Sequence, residues 1–294
     1  MLREHFAYVP GVLEQQVKEH MTDSAQGRDA LMLVMDEFQA AGVQEMATVL
    51  PVHQLKLAER MLEINTRLAV ETAFDRLRFI KKVPDGLKTD LLLMVSSCLI
   101  RLNRDQEAYN YLRHWTSPDA IADHDSSGPP KIFWNKSDYD LLESPELFYD
   151  KAPSMAFMGT VFLLKLRILQ SLEIAQEWKE MMGDDMDREA IEQVRKSGSG
   201  PITKEHIQAG KLEDNANRLI HDLGQMYAFV KEGQSDFWIK LPTTHQSLEP
   251  RHDCTGLETW PMLHCYRAFA DTERGLEYLR SFTEVGEKIS ASTH

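Results

Sequence analysis

Histidine and cysteine residues cluster near the C-terminal end of the sequence, where His252 and Cys254 precede the adjacent pair His264 and Cys265. These residue types bind zinc, so a loop folded back on the start of the following helix would bring four possible ligands together. The spacing matches no standard zinc finger, however, and adjacent His-Cys pairs rarely both ligate one ion. We therefore expect no metal site, with Cys265 packed in a helix and His252 in a polar loop.

Cys254 is also a conceivable nucleophile, with His252 or His264 as its base. Nothing in the sequence marks an oxyanion hole, and the motifs GxGxxG, GxxxxGKS/T, GxSxG and HExxH do not occur. The sequence therefore predicts no catalytic residue and no cofactor. The sequence leaves open whether the protein is an enzyme, but it favours a protein without catalytic activity.

A second group of candidate residues surrounds a short polar turn in the first half of the chain. The candidate partner-binding residues are Arg101, Asn103, Arg104, Arg113, Trp115 and Trp134. Positive side chains in a groove can hold an acidic peptide tail, and the two tryptophans could line a pocket under a long loop. The alternative in so acidic a chain is that the arginines form salt bridges with Asp105 and Glu107.

The elements that must position these residues have helical periodicity along nearly the whole chain, with almost no strand signal. Apolar stripes predict a helix over 87–102 and a second helix that carries Ala108, Tyr111, Leu112 and Trp115. Asn103 and Gln106 have the spacing of a capping box at the turn between them. The predicted fold class is all-α, an antiparallel helical array.

The chain is predicted to form one continuous domain over 1–294. The segment 117–153 is rich in proline and aromatic residues and predicts an irregular loop that packs back on the helices. The sequence SGSGP at 197–201 predicts a flexible break between helices.

The segment 102–109, LNRDQEAY, resembles the turn and second helix of a tetratricopeptide repeat. Asn103 stands where that motif prefers glycine, Ala108 matches the small residue that lets two helices approach, and Pro118 matches the closing proline. Trp115 departs from the motif, which usually has a small residue there. The resemblance implies helical pairs stacked into a curved right-handed superhelix that binds a peptide or helix on its concave face.

Together with the aromatic loop and Phe237-Trp238, the same segment resembles a group of uncharacterised eukaryotic microbial proteins that often occur with MYND-type zinc fingers. This resemblance implies an interaction role and no known activity. The chain has three cysteines without a CxxC pair, so it cannot itself build such a finger.

The acidic composition narrows the partners, because 33 basic against 46 acidic residues give a net charge of −13. Nucleic acids and anionic membranes need a positive field, so neither is expected as a partner. The N-terminal sequence has no secretory pattern, and Lys165 and Arg167 interrupt the longest apolar stretch, which is expected to exclude a membrane span. Sparse cysteine favours a reduced cytoplasmic or nuclear location.

Two functions are compatible with these observations. The first is a protein-interaction scaffold of tetratricopeptide-like type that binds a protein or peptide partner. The second is an α-helical enzyme or small-ligand-binding protein whose pocket is covered by the 117–153 loop. An open groove would favour the scaffold, whereas enclosed ionisable groups with shifted pKa values would favour the ligand binder.

Overall fold

A computed structural model describes residues 46–64, 66–78, 80, 87–117, 139–182, 211–242, 259–272 and 274–281. All regular structure in these residues is helical, which confirms the predicted all-α class for them. The helices are α1 (Met46–Glu63), α2 (Arg67–Leu77), α3 (Lys88–Arg101), α4 (Asp105–Trp115), α5 (Glu146–Tyr149), α6 (Met155–Met182), α7 (Leu212–Gly233), α8 (Phe237–Lys240), α9 (Thr259–Ala270) and α10 (275–281).

The chain divides into two compact units, Met1–Pro84 and Asp85–His294. In the first unit, α1 and α2 pack against each other. Thr66 caps α2, because its side-chain oxygen accepts a hydrogen bond from the Ala69 amide at 3.2 Å. The single continuous domain stays a prediction.

Helix α6 is central in the second unit and packs against α3, α4, α7 and α9. Its stretch Met155–Met181 is long enough to cross a membrane and has a mean hydropathy of 1.4 in its most apolar window. We expected Lys165 and Arg167 to exclude a membrane span. By length and composition alone they do not exclude one. In the structure 89% of that window is buried inside the protein, and the core helix of a soluble protein passes the same test.

Helices α3 and α4 form the helix-turn-helix pair that the sequence predicts. Residues 102–104 make the turn, and Asn103 has a φ of 57°, a left-handed conformation that asparagine tolerates better than most residues. The predicted capping box is wrong, because the N-cap residue of α4 is not Asn103, whose side-chain oxygen accepts a hydrogen bond from Arg167. Arg104 occupies the N-cap position without a side-chain cap, and Gln106 donates to the Tyr139 carbonyl at 2.9 Å.

The described part of the long loop is residue 117 and residues 139–153, which contain the short helix α5. Phe148 is buried and lies edge-on to Tyr109, with ring centroids 5.9 Å apart, and 5.8 Å from the ring of Phe157. This part of the loop therefore packs on α4 and α6. Residues 118–138, including Trp134, and the predicted break at 197–201 lie outside the described residues.

Candidate functional site

Arg167 of α6 is 2% exposed and ties two turns of the second unit together. Its Nε donates to Asp105 Oδ2, its Nη1 to Thr272 Oγ1 and its Nη2 to Asn103 Oδ1, each at 2.9 Å. Burial raises the pKa of Asp105 to about 6, because lost hydration outweighs the opposing charge of Arg167. The turn after α3 and the turn after α9 are thereby held to one point on α6.

Lys165, two residues earlier on α6, is a fully buried ammonium group with oxygen acceptors around it. Its Nζ donates to the Glu143 carbonyl at 2.7 Å, to the Leu141 carbonyl at 3.4 Å and to Asp222 Oδ2 at 3.1 Å. Burial lowers the pKa of Lys165, and the Asp222 carboxylate opposes that shift. The ammonium group fixes the loop segment 141–143 against α6 and α7.

The same loop segment is attached to α4 through the side chain of Glu143. Tyr109 Oη donates to Glu143 Oε1 at 2.8 Å, and Arg113 Nε donates to the same oxygen at 3.0 Å. The Arg113 guanidinium also lies 5.3 Å from the centre of the Tyr139 ring. These contacts attach residues 139–143 of the loop to the helical core.

Helices α3 and α9 run side by side in the same direction. Ser97 Oγ donates to the backbone carbonyl of His264 at 3.0 Å, and one turn later Arg101 Nε lies 2.6 Å from Asp271 Oδ2. The side chains at 97, 98, 101, 264, 267 and 271 form what we call the α3–α9 seam. His264 and Arg267 are one turn apart on α9, so they occupy the same side of that helix.

The imidazole of His264 is fully buried in this seam, and neither ring nitrogen has a hydrogen-bond partner. Burial, together with the positive charges of Arg267 and Arg101, lowers the pKa of His264 to about 3. The ring is therefore neutral near pH 7. Burial raises the pKa of Cys98 to about 12 against the same two charges, so its thiol is protonated there.

The structure places the predicted partner-binding arginines beside three different carboxylates. Arg101 pairs with Asp271 and its side chain is only 1% exposed. Arg104 Nε bonds Glu107 Oε1 at 2.7 Å, the salt bridge that the sequence offered as an alternative. Of the other predicted residues, Arg113 pairs with Glu143, Asn103 bonds Arg167, and Trp115 is half-buried and edge-on to Tyr111.

His264 and Cys265, proposed above as weak metal candidates, contact different neighbours. The Cys265 thiol faces α6, where it bonds Thr160 and would lie 2.9 Å from a Cβ added at Gly159, whereas His264 faces the seam. In the part of the chain that the structure describes, no three His, Cys, Asp or Glu side chains are placed to hold a metal ion. His252 and Cys254 lie outside that part.

Sequence reasoning missed the structural role of Lys165, Arg167 and Asp222. A signal for the first two was present, since charged residues that interrupt an apolar helix must be paired if the helix is buried. Sequence reasoning treated that interruption only as evidence against a membrane span. Asp222 has no comparable signal, because its partner is 57 residues away in the sequence.

Comparison of the chain with family models, with curated proteins and with solved structures found no match. The tetratricopeptide and MYND-associated resemblances therefore stay predictions, and the geometry of the described residues carries the functional argument.

Proposed function

We propose that this protein is an interaction scaffold of tetratricopeptide-like type, which binds a peptide or helix of a partner protein in a concave groove. The observation that carries this proposal is the parallel, side-by-side placement of α3 and α9, fixed by Ser97 to the His264 carbonyl and by Arg101 to Asp271. In stacked helical repeats, each unit packs on its neighbours in the same orientation. Helices α3–α4 and α9–α10 fit that arrangement as two such units.

The two turns are alike in detail, which supports the proposal. Each contains a non-glycine residue with positive φ, Asn103 at 57° and Arg274 at 55°. Each turn also carries an arginine that pairs with a glutamate three residues later, Arg104 with Glu107 and Arg274 with Glu277. Two turns of similar design, both close to Arg167, are what two degenerate copies of one helical pair would have.

The partner surface that fits this scaffold is smaller than the sequence suggested. Arg101 is buried in its ion pair, so it contributes to stability and not to a groove. Arg104, with a side chain 38% exposed, and the half-buried Trp115 lie on α4 or at its start. Tryptophan is enriched among the residues that dominate binding energy at protein interfaces, so Trp115 is the residue on which we expect binding to depend most.

The test is quantitative affinity purification from native lysate, followed by a binding isotherm with each recovered partner. The wild-type chain is compared with Trp115→Ala and with a matched control, Ile239→Ala, which removes an exposed apolar side chain from α8. We expect the control to retain a partner whose affinity falls at least tenfold in Trp115→Ala. Equal affinity for all three folded chains, or no partner that binds the wild type as a purified protein, contradicts the proposal.

A second candidate function, an α-helical enzyme or small-ligand-binding protein with a site under the 117–153 loop, has one observation in its favour. The Tyr149 hydroxyl is buried without a hydrogen-bond partner, and burial together with the charges of Asp222 and Glu146 raises its pKa to about 12. Lys165, which donates a hydrogen bond to Asp222, has a lowered pKa. Native mass spectrometry tests this candidate: a small molecule that co-purifies with the wild type and is lost in Tyr149→Phe supports it, and its absence from both contradicts it.

A further inference from the structure

Helix α7 has one side on α6 and the opposite side at the surface of the protein. Asp222 holds the inner side through its ion pair with Lys165. On the outer side, a Cβ added at Gly224 would meet no atom within 4 Å, and Ile220, one turn earlier, is 47% exposed. An apolar side chain and an open space therefore lie next to each other on a face of α7 that the described residues leave uncovered.

Six residues of this face recur at intervals of three or four along the 22-residue helix, so they share one side of it. We call them the outer stripe: Glu213, Asn217, Ile220, Gly224, Ala228 and Lys231. Neither Glu213 nor Lys231 has a side-chain partner in the part of the chain that the structure describes. The outer stripe thus has a negative charge at its N-terminal end, a positive charge at its C-terminal end and an apolar centre.

A second copy of α7 in antiparallel orientation complements the outer stripe. Such a copy sets its Lys231 opposite Glu213 of the first chain, and position 222 is then the midpoint of the register. Because Ile220 and Gly224 have the same midpoint, Ile220 of each copy faces the open space at Gly224 of the other. Two-fold symmetry repeats each contact, so the interface contains two ion pairs and two apolar contacts. A parallel copy would instead bring like charges together.

We propose that two copies of this chain associate through the outer stripe of α7, antiparallel and with Glu213 of each copy opposite Lys231 of the other. A helix of 22 residues is about 33 Å long and about 10 Å wide, so one helix pair buries less than the roughly 1,200 Å² of a standard interface. We therefore expect a reversible dimer that forms as the protein concentration rises. Below the dissociation constant the chain is monomeric, and a change at Gly224 then affects only the helix itself. This interface is separate from the proposed partner surface at Trp115 and does not depend on the scaffold function.

Sedimentation velocity of the full chain, over a range of protein concentrations at low ionic strength, measures the association. The variants are Glu213→Lys, Lys231→Glu and the double variant with both changes. The matched control is Glu180→Lys, which makes the same change of charge at an exposed position on α6. Circular dichroism checks that each chain is folded.

We expect the wild type and Glu180→Lys to dimerise, with a dissociation constant that rises at least tenfold in Glu213→Lys and in Lys231→Glu. The double variant should dimerise again, because each reversed charge meets a reversed charge on the other copy. An equal mixture of the two single variants should form a mixed dimer for the same reason.

The apolar centre of the outer stripe has its own matched pair of variants. Ile220→Ala should weaken the dimer, because it removes the side chain that faces Gly224 of the other copy. Ile239→Ala removes an equally large exposed side chain from α8 and should leave the dissociation constant unchanged. Should a charge variant fail to fold, this pair and the remaining charge variant decide.

Three results overturn the proposal. The first is a wild type that stays monomeric at every concentration. The second is a dimer that the single charge variants and Ile220→Ala retain as strongly as their controls, which would place the contact on another surface. The third is a double variant and a mixture that both stay monomeric. The charges at 213 and 231 would then act only on the dipole of their own helix, which a second reversal does not restore.

Discussion

Helix α9 packs against both α3 and α6 and contacts them in opposite ways. Against α6 it packs closely: the Cys265 thiol bonds Thr160, and Gly159 leaves no room for a side chain between the helices. Against α3 it buries His264 with both ring nitrogens unpaired. At the first contact the thiol has a partner and the space is filled. The second leaves a buried imidazole without a hydrogen bond, which costs free energy.

Arg167 joins α6 to the turns after α3 and α9 through hydrogen bonds. A buried guanidinium group is tolerated only when its donors find acceptors, and here Asp105, Thr272 and Asn103 supply them. Arg167 and the α3–α9 seam therefore both contain a buried, positively charged side chain. The nitrogens of Arg167 find acceptors and the ring nitrogens of His264 find none, although Asp105 Oδ1 in the Arg167 network is also buried without a partner.

The largest effect is expected for Arg167→Met, because this change leaves the Asp105 carboxylate buried without its partner. The free energy of unfolding should fall by about 3–5 kcal/mol. Urea unfolding followed by circular dichroism measures the loss. Arg274→Met, at an exposed ion pair, is the control and should cost less than about 1 kcal/mol. Losses of similar size in the two variants would mean that the Arg167 network contributes no more than a surface pair.

Gly159→Ala probes the close α6–α9 contact, where a Cβ would lie 2.9 Å from both Cys265 Sγ and Phe237 Cζ. Gly224→Ala on α7 is a matched control, since a Cβ there meets nothing within 4 Å. Both changes gain helix propensity of about 1 kcal/mol, so the difference between their unfolding free energies isolates the steric cost. We expect Gly159→Ala to be less stable than Gly224→Ala by about 1–3 kcal/mol. Equal stability would show that the contact has room to spare.

His264→Phe tests the opposite face of α9 through its pH dependence. The pKa of His264 is lowered from 6.5 to about 3 in the folded protein, so between these values the unfolded chain binds a proton that the folded protein does not. The wild-type unfolding free energy should therefore fall as the pH decreases below 6.5, by up to about 1.4 kcal/mol per pH unit from this group.

The variant lacks this contribution and should lose less stability than the wild type between pH 7 and pH 5, measured by urea unfolding in chloride buffer. At pH 7 two effects oppose each other, because the variant removes an unpaired buried polar group but places a larger ring in the same space. The same pH dependence in both proteins would show that His264 is not buried in the neutral form.

The sequence predicted the helical pair α3–α4 closely, because an apolar stripe and a polar turn are local signals. The predicted stripe over 87–102 corresponds to Lys88–Arg101 in the structure. What these residues do could not be predicted in the same way. Asn103 fits a cap and a left-handed turn equally well from its spacing, and Arg167, 64 residues further along the chain, fixes its side chain.

The candidate site shows the same limit. From the sequence alone, Arg101 is predicted to be an exposed residue of a groove. In the structure its side chain is buried in an ion pair with Asp271, which is 170 residues away. His264 was singled out from sequence for its chemistry, as a metal ligand or a base. Its unpaired nitrogens and its two arginine neighbours depend on how α9 lies on α3, which no local pattern encodes.

The smallest effect is expected for Arg104→Gln, beside the same turn. The Arg104–Glu107 hydrogen bond of 2.7 Å is as short as many buried contacts, yet the two side chains are 38% and 53% exposed. Water and salt compete for both charges, so the free energy of unfolding should change by less than about 0.5 kcal/mol and the change should vanish in about 1 M NaCl. Urea unfolding at low and high salt measures both quantities. A loss above about 1 kcal/mol that persists at high salt would contradict the prediction, because it would mean that a short distance outweighs exposure.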